Sequence, residues 1–525
     1  MHVPLLITDF LRRAVALYPD KVAIIEGERE WTYAEFGRRV QRLSHALRSA
    51  GIGKGDRVCI LSPNSHFFLE SFYGVSQVGA VLVPLNYRLL PADHAYIIQH
   101  AGVKALLVDH EYLSVADEIR SDLPEVELWI SAQEEGPVKD GWTGWEDWIR
   151  DVSEAEYPQE ELLESDLVSI NYTSGTTARP KGVMLTHRNC ALNAYNFATH
   201  LRLQHDDVEL WTLPMFHCNG WGGVYALTGL GATHVILRAV RADEIFRLMQ
   251  RHQVTFACMA PTVLNTILNF EQAADYEIRT RPRFVVAGAP PPAAFIQRLE
   301  EEFGWEFIQI YGLTETSPTL TVCAPDGCTE KTDYSRRSRA GVPVIGVGLK
   351  VCDAEGNPVP MDDHAIGEVC ARSNVIFEGY WKQPEATREA IRDGWFWTGD
   401  LATWDKTGSI NIVDRKKDVI ISGGENISSP EVEAVLYRHT EVIECAVIGV
   451  PHEKWGETPK ALVVTTETSK LSETDLIDHC REHLAHFKCP TSIDFLEALP
   501  RTATGKLQKF KLREQYWKDT ERRVN

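Results

Sequence analysis

From residue 22 onward, short runs of β-branched and other apolar residues alternate with longer segments whose apolar positions recur at helical spacing. Residues 56–61 read as a strand, 67–78 as a helix and 80–84 as the next strand. Such alternation pairs strands in parallel and places helices on the crossovers, which predicts an α/β architecture. The clearest unit spans 283–315. It reads as a strand over 284–287, a stop at Gly288-Ala289-Pro290, and a helix over 292–303 with Phe295, Ile296, Leu299 and Phe303 on one face. Gly304 ends that helix, and a strand over 307–310 runs into Tyr311-Gly312-Leu313-Thr314-Glu315. Ligands of open α/β sheets sit beyond the carboxyl ends of strands, where both small-residue segments fall.

The pattern changes after Asp405-Lys406-Thr407-Gly408, a turn, and a strand over 409–413. The charged segment Asp414-Arg415-Lys416-Lys417-Asp418 marks a boundary, with a hinge or a solvated turn as its two readings. Beyond it the spacing predicts a helix over 429–438, strands over 442–450 and 460–465, and a helix over 472–484 capped by Ser472. That is a compact α+β module.

Residues 173–182, Thr-Ser-Gly-Thr-Thr-Ala-Arg-Pro-Lys-Gly, hold four hydroxyls, two glycines and two cations. Glycine permits close backbone approach, and hydroxyls and amides donate to anionic oxygens, so the loop suits phosphate. Walker spacing is absent. Apolar strands over 167–172 and 182–186 flank the loop, so it forms a flap between strands rather than a helix start; a polar surface hairpin is the competing reading.

Composition narrows the function classes. The 525 residues are 44% hydrophobic and 24% charged, with a net charge of -20. An acidic balance argues against a nucleic-acid surface. Eleven cysteines are scattered without zinc spacing, which points to reduced thiols in the cytoplasm. The N-terminus lacks a secretory pattern, and no apolar run has the length of a membrane span.

Seven segments in order resemble the adenylate-forming, AMP-binding superfamily that includes acyl-CoA synthetases. They are 173–182, 288–290, 311–315, Trp397-Thr398-Gly399-Asp400, 414–418, Ser422-Gly423-Gly424-Glu425-Asn426-Ile427 and Pro500-Arg501-Thr502-Ala503-Thr504-Gly505-Lys506. Within that family the chain looks most like ligases of short, medium or substituted aliphatic acids. The resemblance implies a large N-terminal domain, 1–414, with stacked α/β sheets and a distorted β-barrel part. It also implies a small mobile C-terminal domain, 415–525, joined through a hinge at 414–418 with Lys417 at its centre. The reaction implied is ATP-dependent: a carboxylate takes AMP, pyrophosphate leaves, and coenzyme A then displaces AMP.

The resemblance also assigns residues. Lys506 is the catalytic lysine between carboxylate and phosphates; Thr314 contacts the α-phosphate; Glu315, with Thr176, holds Mg²⁺. Thr173, Ser174, Gly175, Thr176, Thr177 and Lys181 form the phosphate loop, in which Ala178 replaces a common glycine. Gly288, Ala289, Pro290 and Tyr311 border the base, Asp400 and Arg415 the ribose, and Gln309, Gly312 and Ile412 also belong to the ATP/AMP site. His217, with Trp221, Gly222, Gly288 and Gly312, lines the acyl pocket, and His217 also counts among the catalytic set. The stretch 217–223 resembles a helix start, and it holds no acid to receive an α-ammonium, which disfavours an amino-acid substrate. Ser422, Gly423, Gly424 and Glu425 line the coenzyme A side, where Pro430 sits one place later than usual. Competing functions are an acyl-AMP ligase serving a separate carrier protein, an aryl-CoA ligase of benzoate or cinnamate type, and a nucleotide sensor. The partners are the acid, ATP and coenzyme A, without nucleic acid or membrane insertion, and a homodimer is the default assembly.

Overall fold

The computed structural model describes residues 3–133, 138–158, 162–173, 179–288, 291–323, 333–416, 418–422, 425–452, 454–466, 468–501 and 507–517. Among these, the strands form four sheets, of nine, eight, five and five strands.

The two largest sheets are mainly parallel and lie in the N-terminal part. The nine-stranded sheet carries neighbouring parallel strands Val208–Leu210, Phe256–Met259, Arg283–Val286 and Glu306–Gly312. The eight-stranded sheet is built around Arg57–Leu61, Val81–Pro84, Val103–Asp109 and Leu167–Thr173. Strand alternation divides each sheet between two cores. Val58 and Ile60 face a central core, while Cys59 and Leu61 face an outer one. Phe256, Val285 and Ile308 face the same central core from the other sheet, and Ala257, Phe284 and Phe307 face a second outer core. Helices His66–Gln77, His187–His200 and Gly223–Leu230 fill the layer between the sheets. All twelve residues of His66–Gln77 are buried, as befits a helix enclosed on every side. The expected stacked α/β arrangement is therefore present, in five layers.

Where the resemblance implied a distorted barrel, the third sheet is antiparallel. Its strands are Gly348–Cys352, Gly367–Arg372, Ile391–Arg392, Trp395–Trp404 and Ile410–Arg415, and its pairing order is open among the described residues. The C-terminal sheet contains Ile420–Ser422, Glu425–Ile427, Val442–His452, Gly456–Thr465 and Ser492–Phe495, backed by helices Ser429–Leu436 and Glu473–His483. Ser472 caps the latter helix through a reciprocal bond with Asp475, as its sequence position anticipates.

Element ends differ from expectation where tertiary pairing outlasts local pattern. The strand at 409–413 is Ile410–Arg415, because Arg415 stays paired with Asp400 across the sheet. The strand at 307–310 is Glu306–Gly312, extended by pairing with Thr319–Cys323. The helix at 292–303 is shorter, Ala293–Glu301, since Pro292 lies outside it. No helix among the described residues is long and apolar enough to cross a membrane.

Three histidines are buried as neutral rings. Burial lowers His94 to a pKa of about 4, His187 to about 4 and His234 to about 3. His234 Nδ1 accepts from Trp211 Nε1 at 3.1 Å, and His187 Nδ1 accepts from the Ile7 amide at 3.3 Å. In an unfolded chain these rings bind protons near pH 6.5, while the folded chain binds them only near pH 4 or below. Stability is therefore fully present above pH 6.5 and falls as pH drops toward 4. Each ring contributes at most about 1.4 kcal/mol per pH unit. Thermal unfolding followed between pH 7 and 5 should show a falling midpoint, and a flat profile would contradict the neutral assignment.

Candidate functional site

The flap is built as a hairpin. Strands Leu167–Thr173 and Lys181–Thr186 pair antiparallel, with Thr173 opposite Lys181 at the mouth of the loop. Ser174, Gly175, Thr176, Thr177 and Ala178 lie outside the described residues. The two cations at the exit of the loop rest on aromatic faces. Arg179 stands 5.0 Å from the ring centre of Tyr96, and Lys181 stands 4.9 Å from that of Tyr380.

Tyr380 was not singled out by sequence, yet it joins two candidate residues. Strand Gly379–Tyr380 pairs with the outgoing strand of the hairpin. The Tyr380 hydroxyl donates to Glu315 Oε1 at 2.9 Å. Burial and the Glu315 carboxylate push the Tyr380 phenol well up, so it stays a donor. Lys181, Tyr380 and Glu315 thus form one chain of contacts. Its only trace in the sequence is the triplet Gly379-Tyr380-Trp381, in a segment without helix or strand periodicity.

Glu315 belongs to a single turn, Thr314–Thr316, directly after strand Glu306–Gly312. The Phe377 amide donates to the Glu315 carbonyl at 2.9 Å and fixes the turn. Gly312 admits no side chain, because a Cβ there would stand 1.5 Å from the Pro318 carbonyl oxygen. Among the described residues, the clusters with metal-ligand spacing are His479, Glu482, His483 and Asp109, His110, Glu111. Glu315 is in neither. A cation at Glu315 would take most ligands from phosphate and water, the arrangement Mg²⁺ prefers.

At the other end of the same strand terminus, the Tyr311 hydroxyl donates to Asp400 Oδ2 at 2.8 Å. Arg415 Nε stands 3.4 Å from Asp400 Oδ1. Burial and Asp400 push the Tyr311 phenol well above its ordinary value, which preserves the donor. Asp400 is 6% exposed, and each oxygen keeps capacity for a further donor. Ile412 packs in the same small cluster as Tyr311. Gln309 Oε1 is buried without a partner. Gly288, at φ +99°, leaves the space beside it open, and Ala289 and Pro290 lie outside the described residues.

The stretch expected as a helix start is instead a left-handed turn. Cys218, Asn219, Gly220, Trp221 and Gly222 have φ of 45°, 52°, 55°, 55° and 86°. The helix begins only at Gly223. Left-handed non-glycine residues cost about 1–3 kcal/mol each and persist where neighbours over-determine them. Here Asn219 Nδ2 donates to Ser169 Oγ at 2.9 Å, and Asn171 Nδ2 donates to Asn219 Oδ1 at 3.0 Å. Asn193 Nδ2 donates to the Trp221 carbonyl at 3.1 Å, while its Oδ1 accepts from the Thr319 amide at 3.2 Å. Asn193 therefore ties this turn to the segment after Glu315. Trp221 is 5% exposed and packed in the central core, and His217 is half-buried next to the turn.

On the C-terminal side, Lys417, Gly423, Gly424 and Lys506 lie outside the described residues. Ser422 ends one strand and exposed Glu425 begins the next. Pro430 falls in the first turn of helix Ser429–Leu436, where a missing N–H costs nothing. Asp414 Oδ2 accepts from the Ser429 amide at 3.2 Å, Lys509 pairs with Glu433 at 2.8 Å, and Arg513 pairs with Asp418.

The family model described as AMP-binding enzyme matches residues 11–381, and that described as AMP-binding enzyme C-terminal domain matches residues 431–506. The chain is 38% identical to 4-hydroxybutyrate–CoA ligase 2 of Metallosphaera sedula, over 96% of this chain and 93% of that protein. It is 37% identical to a peroxisomal trans-cinnamate:CoA ligase of Petunia hybrida, over 98% of this chain and 94% of that protein. A solved anthranilate CoA ligase in complex with anthranoyl-AMP superposes with a TM-score of 0.91 at 30% identity, covering 98% of each chain.

Two adjacent glycines test the left-handed turn. A Cβ at Gly222 would stand 2.2 Å from Asn193 Nδ2, at a φ unsuited to side chains. A Cβ at Gly223 meets its nearest neighbours at 3.5 Å and 3.6 Å, with no positive φ. Gly222→Ala should destabilise by more than about 1 kcal/mol, and Gly223→Ala by less than that. Chemical denaturation that ranked the two equally would refute the turn.

Proposed function

This chain belongs to the AMP-binding enzyme family, and from that premise we propose that it is an ATP-dependent acyl-CoA ligase for a monocarboxylic acid. The observation that carries the proposal is the end of strand Glu306–Gly312. It sets the Tyr311–Asp400–Arg415 group within four residues of the Glu315–Tyr380–Lys181 chain. One group accepts from a pair of hydroxyls, as a ribose offers. The other presents a carboxylate and an ammonium to phosphates and their cation.

In the first half-reaction a carboxylate oxygen attacks the α-phosphorus of ATP, and the bond to pyrophosphate breaks. Mg²⁺, held by Glu315 and Thr176, would screen the phosphate charge. Thr314, 7% exposed, contacts the α-phosphate, and Thr173, Ser174, Gly175, Thr177 and Lys181 hold the remaining phosphates. Lys506 brings an ammonium to two anions being pressed together, which is electrostatic stabilisation of the transition state. In the second half-reaction the coenzyme A thiol attacks the acyl carbon, AMP leaves, and the thiol proton passes to solvent. The chain beyond Lys417 rotates about that residue between the two steps, so that Ser422, Gly423, Gly424 and Glu425 line the thiol's approach. Asp414, on the strand side of that hinge, is bonded to Ser429 beyond it, a contact that rotation would strain.

The acid we favour is a short, medium or substituted aliphatic one, received between His217, Trp221 and the glycines. An aryl acid is the second reading, supported by the trans-cinnamate ligase and the anthranoyl-AMP complex among the similar proteins. The ten described cysteines are free thiols, which supports a reducing compartment such as the cytoplasm.

The direct test is incubation with ATP, Mg²⁺, coenzyme A and a pool of aliphatic and aromatic acids, read by mass spectrometry. Acyl-CoA products are expected; acyl-AMP alone would mean a carrier-protein acceptor, and no product would mean a sensor. Lys506→Ala should lower adenylation by about 10²–10³ and spare thioester formation from supplied acyl-AMP. Equal loss in both steps would remove Lys506 from its role. Tyr380→Phe keeps the ring under Lys181 but frees Glu315. It should raise the Mg²⁺ needed for half-maximal adenylation roughly tenfold, the worth of one hydrogen bond to a charged group. An unchanged Mg²⁺ titration would leave Tyr380 a packing residue.

A further inference from the structure

Strand Val208–Leu210 carries a carboxylic acid into the layer occupied by helix Gly223–Leu230. Glu209 is 1% exposed, and its Oε2 atom has no hydrogen-bond partner. The side chain is aimed at the start of that helix. A methyl group placed on Gly223 would lie 3.6 Å from Glu209 Oε2 and 3.5 Å from the Trp211 ring. Gly223 closes the stretch 217–223 assigned above to the acyl pocket, and glycines also stand at 220 and 222. These glycines leave the backbone between that stretch and Glu209 without side chains of its own, and the buried Trp211 indole packs against Gly220 and Gly223.

Trp211 and His234, the latter directly opposite Glu209 on the next strand, are engaged elsewhere, and the buried Cys258 thiol is a further close neighbour. Trp211 Nε1 donates to His234 Nδ1, and His234 Nε2 lies 3.0 Å from Thr228 Oγ1. Thr212 Oγ1 donates to the Cys258 carbonyl at 2.6 Å. Burial, with Asp207 nearby, pushes the Glu209 carboxyl well above the carboxylate range. The group is therefore neutral and can both donate and accept. A buried polar oxygen left unpaired costs free energy, and a chain without a use for it would place an apolar residue there.

We propose that Glu209 is a specificity-determining residue of the acyl pocket, hydrogen-bonding an uncharged hydroxyl that the substrate acid carries away from its carboxylate. The inference rests on the acyl-CoA ligase reading and narrows its substrate class to hydroxy acids. A neutral carboxyl offers no counter-charge to an ammonium, so ω-amino acids are excluded by the same group. An apolar acid of equal length leaves Oε2 unpaired, and sites built to bond a substrate hydroxyl discriminate strongly against the analogue that lacks it.

The test compares pairs of acids differing by one hydroxyl: butyrate with 4-hydroxybutyrate, hexanoate with 6-hydroxyhexanoate, and benzoate with 3- and 4-hydroxybenzoate. Coenzyme A-dependent AMP release gives kcat/KM for each. The wild type should favour the hydroxy acid of at least one pair by tenfold or more. Glu209→Gln, which keeps a donor and an acceptor, should retain most of that ratio. Glu209→Leu should bring it to one or below while still turning over the plain acid. The ratio is internal to each protein, so partial misfolding lowers both terms alike. Affinity of the wild type for non-hydrolysable acyl-sulfamoyl adenosines of the same pairs gives a reading that needs no variant. Turnover of plain acids with a ratio near one, unchanged in Glu209→Leu, would overturn the inference and keep the ligase. Absence of coenzyme A-dependent AMP release from every acid would overturn the ligase reading itself.

Discussion

Asp400 is the junction on which the nucleotide side of this molecule depends. Its two oxygens are held from different sheets: Tyr311 comes from the end of a parallel strand, and Arg415 from the antiparallel strand Ile410–Arg415. A buried carboxylate in that place is costly unless paired, and Tyr311 and Arg415 supply the pairing. The cost has a structural consequence. The two sheets must keep a fixed relation for Asp400 to remain satisfied, so the proposed ribose contact is set before any ligand arrives. Arg415 is also the last residue of its sheet, and Ile420 is the first strand residue of the next. The junction therefore ends where the proposed hinge begins.

Much of the α/β core was legible because local and tertiary demands agree there. Residues 58–61, 81–84 and 284–286 are apolar on both faces, which is what a strand between two helical layers requires. The flap hairpin was legible for a similar reason, with apolar strands on each side of a hydroxyl-rich loop. The failures lie where distant partners decide. Asn219, Gly220 and Gly222 permit a left-handed backbone, but nothing local demands it at Cys218 and Trp221; Asn171, Asn193 and Ser169 hold the turn from other segments. Tyr380 escaped notice because its meaning is the Glu315 carboxylate, sixty-five residues earlier in the chain. Glu209 escaped because strand periodicity assigns it to a buried face, where sequence reading expects an apolar residue.

The two sides of the proposed site are held by different physics. On the phosphate side, charged groups rest on partners that leave them able to serve a ligand: Lys181 on a ring face, Glu315 on one phenol. Those contacts fix position without neutralising charge. On the acyl side, the backbone itself is strained, and amide side chains hold it. Asn193 joins the two sides, since it bonds both the Trp221 carbonyl and the amide of Thr319. A displacement of the acyl-side turn is thus transmitted to the segment following Glu315 through one buried side chain. That is a physical route by which occupancy of the acid pocket could bear on the metal and phosphate groups.

Unpaired buried oxygens tell where such a site is unfinished. Unpaired buried nitrogens occur elsewhere among the described residues, at His94 and Trp145 among others, so a lone unpaired atom does not mark a site. The unpaired buried side-chain oxygens among the described residues are Gln309 Oε1 and Thr319 Oγ1, on the paired strands Glu306–Gly312 and Thr319–Cys323, and Glu209 Oε2, three strands further along the same sheet beneath Gly223. Each leaves a desolvation cost of about 1–3 kcal/mol in the free protein. A ligand that reaches such an atom recovers that cost on binding, whereas one that does not must leave it in place. The free protein is thus less stable than one with apolar residues at these positions would be, and under the proposed role of Glu209 the difference appears as selectivity among acids. Stability and specificity oppose one another most directly at Glu209. A leucine there would pack without penalty and would give the pocket no means of telling a hydroxyl from a hydrogen.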